Sequence, residues 1–144
     1  MKFSMLLSVL ALSTSVLHAE VAVENHWARA SQGPNSAMFG TFTNSSNQDD
    51  QLIAVEVKDP NFCDHTELHA HVEEDGIMKM RPVENIVIPA NSTAELKPGG
   101  LHVMFMKIAN PMNEDAIVPV TLKFQSGQTL DLEVPVKPAV AHTH

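Results

Sequence analysis

The chain carries one cysteine, Cys63, in 144 residues. Paired thiols tend to become disulfides in oxidising compartments, and this chain has no pair to lose. It has only two arginines, Arg29 and Arg81, and its 9 basic against 17 acidic residues leave a formal net charge of −8. So acidic a chain presents no electrostatic footprint for nucleic acid. Beyond the first dozen residues no apolar stretch approaches the length that crosses a bilayer. Helical periodicity, internal repeats and an internal domain boundary are all missing. So are a triad spacing, a phosphate-cradling glycine loop and a motif of paired carboxylates, so no catalytic constellation is visible. A function other than catalysis is expected.

What is present begins with a leader. Lys2 precedes the short apolar run Phe3–Leu12, and Ser13–Ala19 follows as a processing region. This is the layout of a secretory signal peptide over residues 1–19, cleaved after Ala19, with a run too short to span a membrane. No cysteine follows the run, so a lipid-anchored start is not expected. Losing Lys2 takes the formal charge from −8 to −9. Residues 20–137 then form one exported, periplasmic domain, and 138–144 a flexible tail containing His142 and His144. A monomer is expected.

The domain reads as short alternating segments parted by turn residues, the pattern of an all-β protein. Among the candidate strands are Glu67–Val72, Ile77–Met80, Val83–Ile88, Leu101–Ile108 and Ile117–Phe124. Breaks fall at Gly33-Pro34, Asp59-Pro60, Pro98–Gly100 and Ser126-Gly127. Many short strands in a chain of this size predict a Greek-key sandwich or barrel.

Three of these segments each repeat a ligand-type residue two positions apart. They are Glu67-Leu68-His69-Ala70-His71, Ile77-Met78-Lys79-Met80 and Leu101-His102-Val103-Met104-Phe105-Met106. Residues i and i+2 of a strand share a face, so each segment presents imidazole or thioether groups to one side. Thioethers are soft and uncharged, and a mixed His/Met set favours Cu(I) over zinc, calcium or magnesium. Between the first two segments, Glu73-Glu74-Asp75-Gly76 signals a turn. A four-residue loop pairs His71 with Met78 and His69 with Met80. A two-residue Asp75-Gly76 turn pairs His71 with Met80 and leaves His69 on the diagonal. Either register keeps all four side chains on one face. Lys97-Pro98-Gly99-Gly100 delivers His102 at a strand start near a rim, where a metal can be exchanged with a partner.

These stretches resemble the periplasmic copper chaperones of the PCuAC family. The likeness runs from Glu67-Leu68-His69 through Asp75-Gly76-Ile77-Met78-Lys79-Met80-Arg81 and Ile88-Pro89-Ala90 to Pro98-Gly99-Gly100-Leu101-His102-Val103-Met104. Trp27-Ala28-Arg29 and Thr121-Leu122-Lys123-Phe124 extend it over about Val21 to Val136. The resemblance implies a cupredoxin-like β-barrel binding one Cu(I) through His69, Met80, His102 and Met104. It also implies a copper-accepting partner such as the dinuclear copper domain of cytochrome oxidase, together with Sco-type thioredoxin-like proteins.

His71, Met78 and Met106 are secondary candidates, expected to pack around and shield the site. His142 and His144 form a His-x-His suited to Cu(II). Cys63 is expected to be a buried small hydrophobe, with His65 nearby as a secondary contact. Met38, Met112, His26 and Trp27 read as packing residues. Three other readings use the same residues: a copper-buffering or tolerance protein, a small copper redox protein, and a metal-free exported interaction domain. A redox site would favour a thiolate ligand, and Cys63 does not sit in such a pattern.

Overall fold

The computed structural model describes residues 20–138 of the chain. The expected signal peptide, and His142 and His144 of the tail, lie outside the described residues. The ten strands are β1 (Val21–Arg29), β2 (Ser36–Asn44), β3 (Asp50–Val57), β4 (Cys63–Glu74), β5 (Ile77–Val83), β6 (Ile86–Ile88), β7 (Ser92–Leu96), β8 (His102–Ile108), β9 (Ile117–Phe124) and β10 (Thr129–Lys137). No helix occurs among the described residues, and the all-β sandwich expected from the alternation is what forms.

The hydrogen-bonded path runs β5-β4-β8-β2-β1-β10-β9-β3-β6, with β7 also pairing β2. All pairings are antiparallel except β1 with β10, which run parallel through Ala28↔Val136 and Arg29↔Lys137. That short parallel join lets the path fold over into two layers. One edge of β2 serves two strands: β8 pairs Ser36–Met38 and β7 pairs Gly40–Asn44. Alternation sets the core. In β9, Val118, Val120, Leu122 and Phe124 are buried, and they meet Phe42, Met38, Val103 and Phe105 from the facing layer. A Phe42–Phe124 contact at 6.4 Å ties the layers together, and Phe62, in the connection from β3 to β4, meets Phe105 edge-on at 5.6 Å.

The strands differ from the sequence reading where tertiary pairing overrides weak local pattern. β4 is longer than Glu67–Val72 because Cys63 to His69 pairs along β8, from Cys63↔Ile108 to His69↔His102. The segment Val83–Ile88 is not one strand. Val83 ends β5 in one layer and Ile86 opens β6 in the other, so the chain breaks at Glu84-Asn85 to cross between them. Asp75 and Gly76 both have positive φ, at 52° and 78°. That is the two-residue hairpin turn whose twist matches the flanking strands, so of the two registers the second is adopted, with His71↔Met80 and His69↔Pro82.

Candidate metal centre

His69 and His71 on β4, Met80 on β5, and His102 and Met104 on β8 occupy three adjacent strands at one end of the sheet path. They share the outer face of their layer, since Leu68, Val103 and Phe105 between them point into the core. The tight turn makes Glu74↔Ile77 the first hydrogen-bonded pair, so His71↔Met80 falls on a non-hydrogen-bonded rung, where side chains approach most closely. The same count turns the nitrogen of Pro82 away from β4, which explains a proline in this terminal strand. On the next ladder His69 pairs directly with His102, and the two rings lie 5.4 Å apart, with His71 5.8 Å from His102.

The nitrogens of the imidazoles have distinct tasks. His102 Nδ1–H donates to the Gly100 carbonyl at 2.8 Å, which leaves its Nε2 unprotonated. Burial lowers the His102 pKa, and the neighbouring His69, His71 and Arg29 charges lower it further against the opposing Gly100 bond, so the neutral ring is favoured. Its Nε2 faces the Met80 sulfur at 3.0 Å. Two electron-pair donors pointing at one another with no proton between them suit a shared cation better than each other. His69 Nε2–H donates to Glu67 Oε1 at 2.8 Å, and its Nδ1 is buried with no hydrogen-bond partner. Each ring thus spends one nitrogen on a protein acceptor and keeps a lone pair on the other, as metal-binding histidines do. His69 and His102 are 8% and 5% exposed, while Met80 is 45% exposed. The buried imidazoles form the floor and a thioether the accessible lip. Among the described residues no three His, Cys, Asp or Glu side chains converge as a metal site. The imidazoles stand beside thioethers, a donor chemistry that suits a soft cation.

A cavity of about 320 Å³ opens beside the cluster, lined by His71, Met80, His102 and Met104 on one side and by Arg29 on the other. His69 does not line it. Met104 faces Glu67 on β4 and Ala37 on β2. Met106 lies opposite His65, and Met78 lies opposite Glu73 near the hairpin turn, so of the three secondary candidates only His71 is brought to the cluster. Cys63 sits six residues before His69 on β4, about 20 Å along the strand. It packs against the core as a free thiol, and burial, then Asp64, raises its pKa. Trp27 packs at a tilt against Phe39 at 4.8 Å, and Phe39 is 6.2 Å from His102, so the tryptophan supports the site through one intervening ring.

Sequence reasoning passed over Glu67 and Phe39. Glu67 has a signal, since it stands two residues before His69 on the same strand face. Phe39 has none, because its neighbours belong to distant strands.

The family model described as "Putative lipoprotein LpqE-like" matches residues 21–136. A relative from Leifsonia xyli, named "Putative lipoprotein Lxx21020", is 30% identical over 118 residues, covering 81% of this chain and 69% of its own. The copper-bound PCuAC domain from PmoF2 superposes with a TM-score of 0.67 at 22% identity, over 83% of this chain and 93% of that one. The solution structure of the Cu(I) form of DR1885 from Deinococcus radiodurans gives a TM-score of 0.60 at 27% identity, over 87% and 85%.

Proposed function

The chain belongs to the LpqE-like family, and from that premise we propose that it is an exported copper chaperone, which holds one Cu(I) and hands it to a partner. The ligands in this reading are His69 through Nδ1, Met80 through its sulfur, His102 through Nε2 and Met104 through its sulfur. The observation that carries it is the facing pair of donors, His102 Nε2 and Met80 Sδ, beside the unpartnered Nδ1 of His69. The Cu(I) form of the Deinococcus protein, 27% identical, supports the choice of metal and oxidation state.

Neutral soft donors stabilise Cu(I) without requiring a thiolate. Transfer follows from the placement of the donors. Met80 belongs to the terminal strand of the sheet path and is the most accessible donor, so an incoming ligand from the acceptor displaces it first while the buried imidazoles still hold the ion. The acceptor in this reading is a copper protein such as the dinuclear copper domain of cytochrome oxidase, with a Sco-type protein as co-worker. The chain is a periplasmic carrier and not a catalyst.

X-ray absorption of the Cu(I)-loaded protein tests the assignment. Both nitrogen and sulfur scatterers are expected at one copper per chain, and a spectrum without sulfur excludes Met80 and Met104. Incubating the loaded protein with an apo oxidase copper domain separates delivery from buffering, because a buffer keeps its metal.

A second reading places His71 in the position of His69, since His71 pairs with Met80 and lines the cavity. His69→Ala should weaken Cu(I) binding more than His71→Ala in a chelator competition. The reverse order assigns the ligand to His71.

A further inference from the structure

Arg29 closes β1 and lines the cavity on the side facing the donor cluster. Its guanidinium carbon lies 5.2 Å over the Phe39 ring, so the cationic group rests on an aromatic face. The Arg29 carbonyl accepts from Ser36 Oγ, pinning the end of β1 to the start of β2. Yet the Arg29 Nε–H is buried and donates to nothing. An unpartnered donor in a cationic group marks a charge for which the protein supplies no acceptor of its own.

The surroundings say which kind. No Asp or Glu lines the cavity. Among the described residues Arg29 forms no ion pair, whereas Arg81, the other arginine, is gripped by both oxygens of Glu74 at 3.0 and 2.9 Å. A chain with a net charge of −8 therefore keeps one arginine unneutralised, facing a cavity free of acid. We propose that this cavity is a carboxylate-binding site in which Arg29 receives one carboxylate beside Met80, His102 and Met104. The two terminal amino groups of a guanidinium offer parallel N–H bonds that match a planar carboxylate, so the buried Nε need not take part. A single arginine balances one negative charge, and no lysine or second arginine lines the wall, so a doubly charged phosphate would find only one permanent cation. A volume of about 320 Å³ is at the small end for ligand pockets, enough for a short carboxylic acid or one acidic side chain. Occupation neutralises Arg29 next to the donor cluster, and the site stands whether or not that cluster holds copper.

The test is an NMR titration of the exported chain at constant ionic strength, following the Arg29 Nε–Hε and Ala37 amide signals. The probes are sodium acetate, a terminally blocked Gly-Glu-Gly peptide, its Gly-Gln-Gly counterpart, and inorganic phosphate. Saturable shifts are expected with acetate or with the Glu peptide and not with the Gln peptide. Saturation by acetate identifies a free carboxylate as sufficient, and saturation by the peptide alone identifies an acidic side chain of a docked protein. Arg29→Gln should weaken binding by about tenfold or more. Arg29→Lys, which keeps the charge and loses the fork, should fall between. Amide dispersion of each variant reports whether it folds, and if Arg29→Gln does not, Arg29→Lys and the acetate-phosphate comparison decide. Shifts independent of Arg29, or tighter binding of phosphate than of acetate, overturn the proposal.

Discussion

Glu67 shows how much depends on a single side chain. Its Oε1 accepts from His69 Nε2, and its Oε2 lies 2.8 Å from His65 Nε2, while His65 Nδ1 lies 2.7 Å from Asp64. The bond from His69, then that from His65, holds the Glu67 carboxyl below the usual range, so it stays an acceptor at neutral pH. Glu67 thereby selects the tautomer that leaves Nδ1 of His69 free. Glu67→Ala should cost about 10–100-fold in Cu(I) affinity, with Glu67→Gln milder because its amide oxygen still accepts. Nitrogen-15 shifts of the His69 ring should show protonated Nε2 in the wild type and a mixture in Glu67→Ala. An unchanged tautomer would remove Glu67 from the account. At Cys63 the expectation is the opposite: distance from the cluster and a raised pKa predict slow alkylation at pH 7 and unaltered copper binding in Cys63→Ser.

Among the elements, the β4–β5 hairpin decides where Met80 goes. A one-residue slip would turn it to the opposite face. The turn depends on Gly76, whose φ of 78° is strained for any side chain even though no atom lies within 4 Å of a Cβ added there. Gly76→Ala should cost about 1 kcal/mol in urea unfolding through backbone strain alone. It should keep one Cu(I) per chain, because the register is also held by the rungs from Leu68↔Val83 to Glu74↔Ile77. A fall of the sulfur contribution in X-ray absorption of this variant to that of Met104 alone would show that the turn alone sets the register.

For the whole molecule, the site occupies the outer face of a layer whose inner face is the core. Neighbouring residues of β8 therefore serve different ends: Met104 faces the cavity while Phe105 is fully buried against Phe62. Phe105→Ala should cost about 3–5 kcal/mol, a large share of a domain's stability, and lower the melting temperature with or without metal. Met104→Ala should leave melting of the metal-free protein nearly unchanged and abolish most of the stabilisation that added Cu(I) brings. Equal effects of the two on the metal-free protein would contradict the division of faces.

The alternation in β9 could be read from Ile117–Phe124 without a structure, as could the shared face of His102 and Met104, because side-chain direction in a strand repeats every two residues. Strand character, candidate donors and their softness are local properties, and the sequence by itself determined them. It did not determine which rung holds His71 against Met80, since both turns were compatible with Glu73–Gly76. Nor did it determine that Cys63 and Met106 would lie away from the cluster, that Phe39 would stand beneath His102, or that Arg29 would face the donors across a cavity. These depend on pairings between strands distant in the chain, and only the folding of one sheet path into two layers decides them.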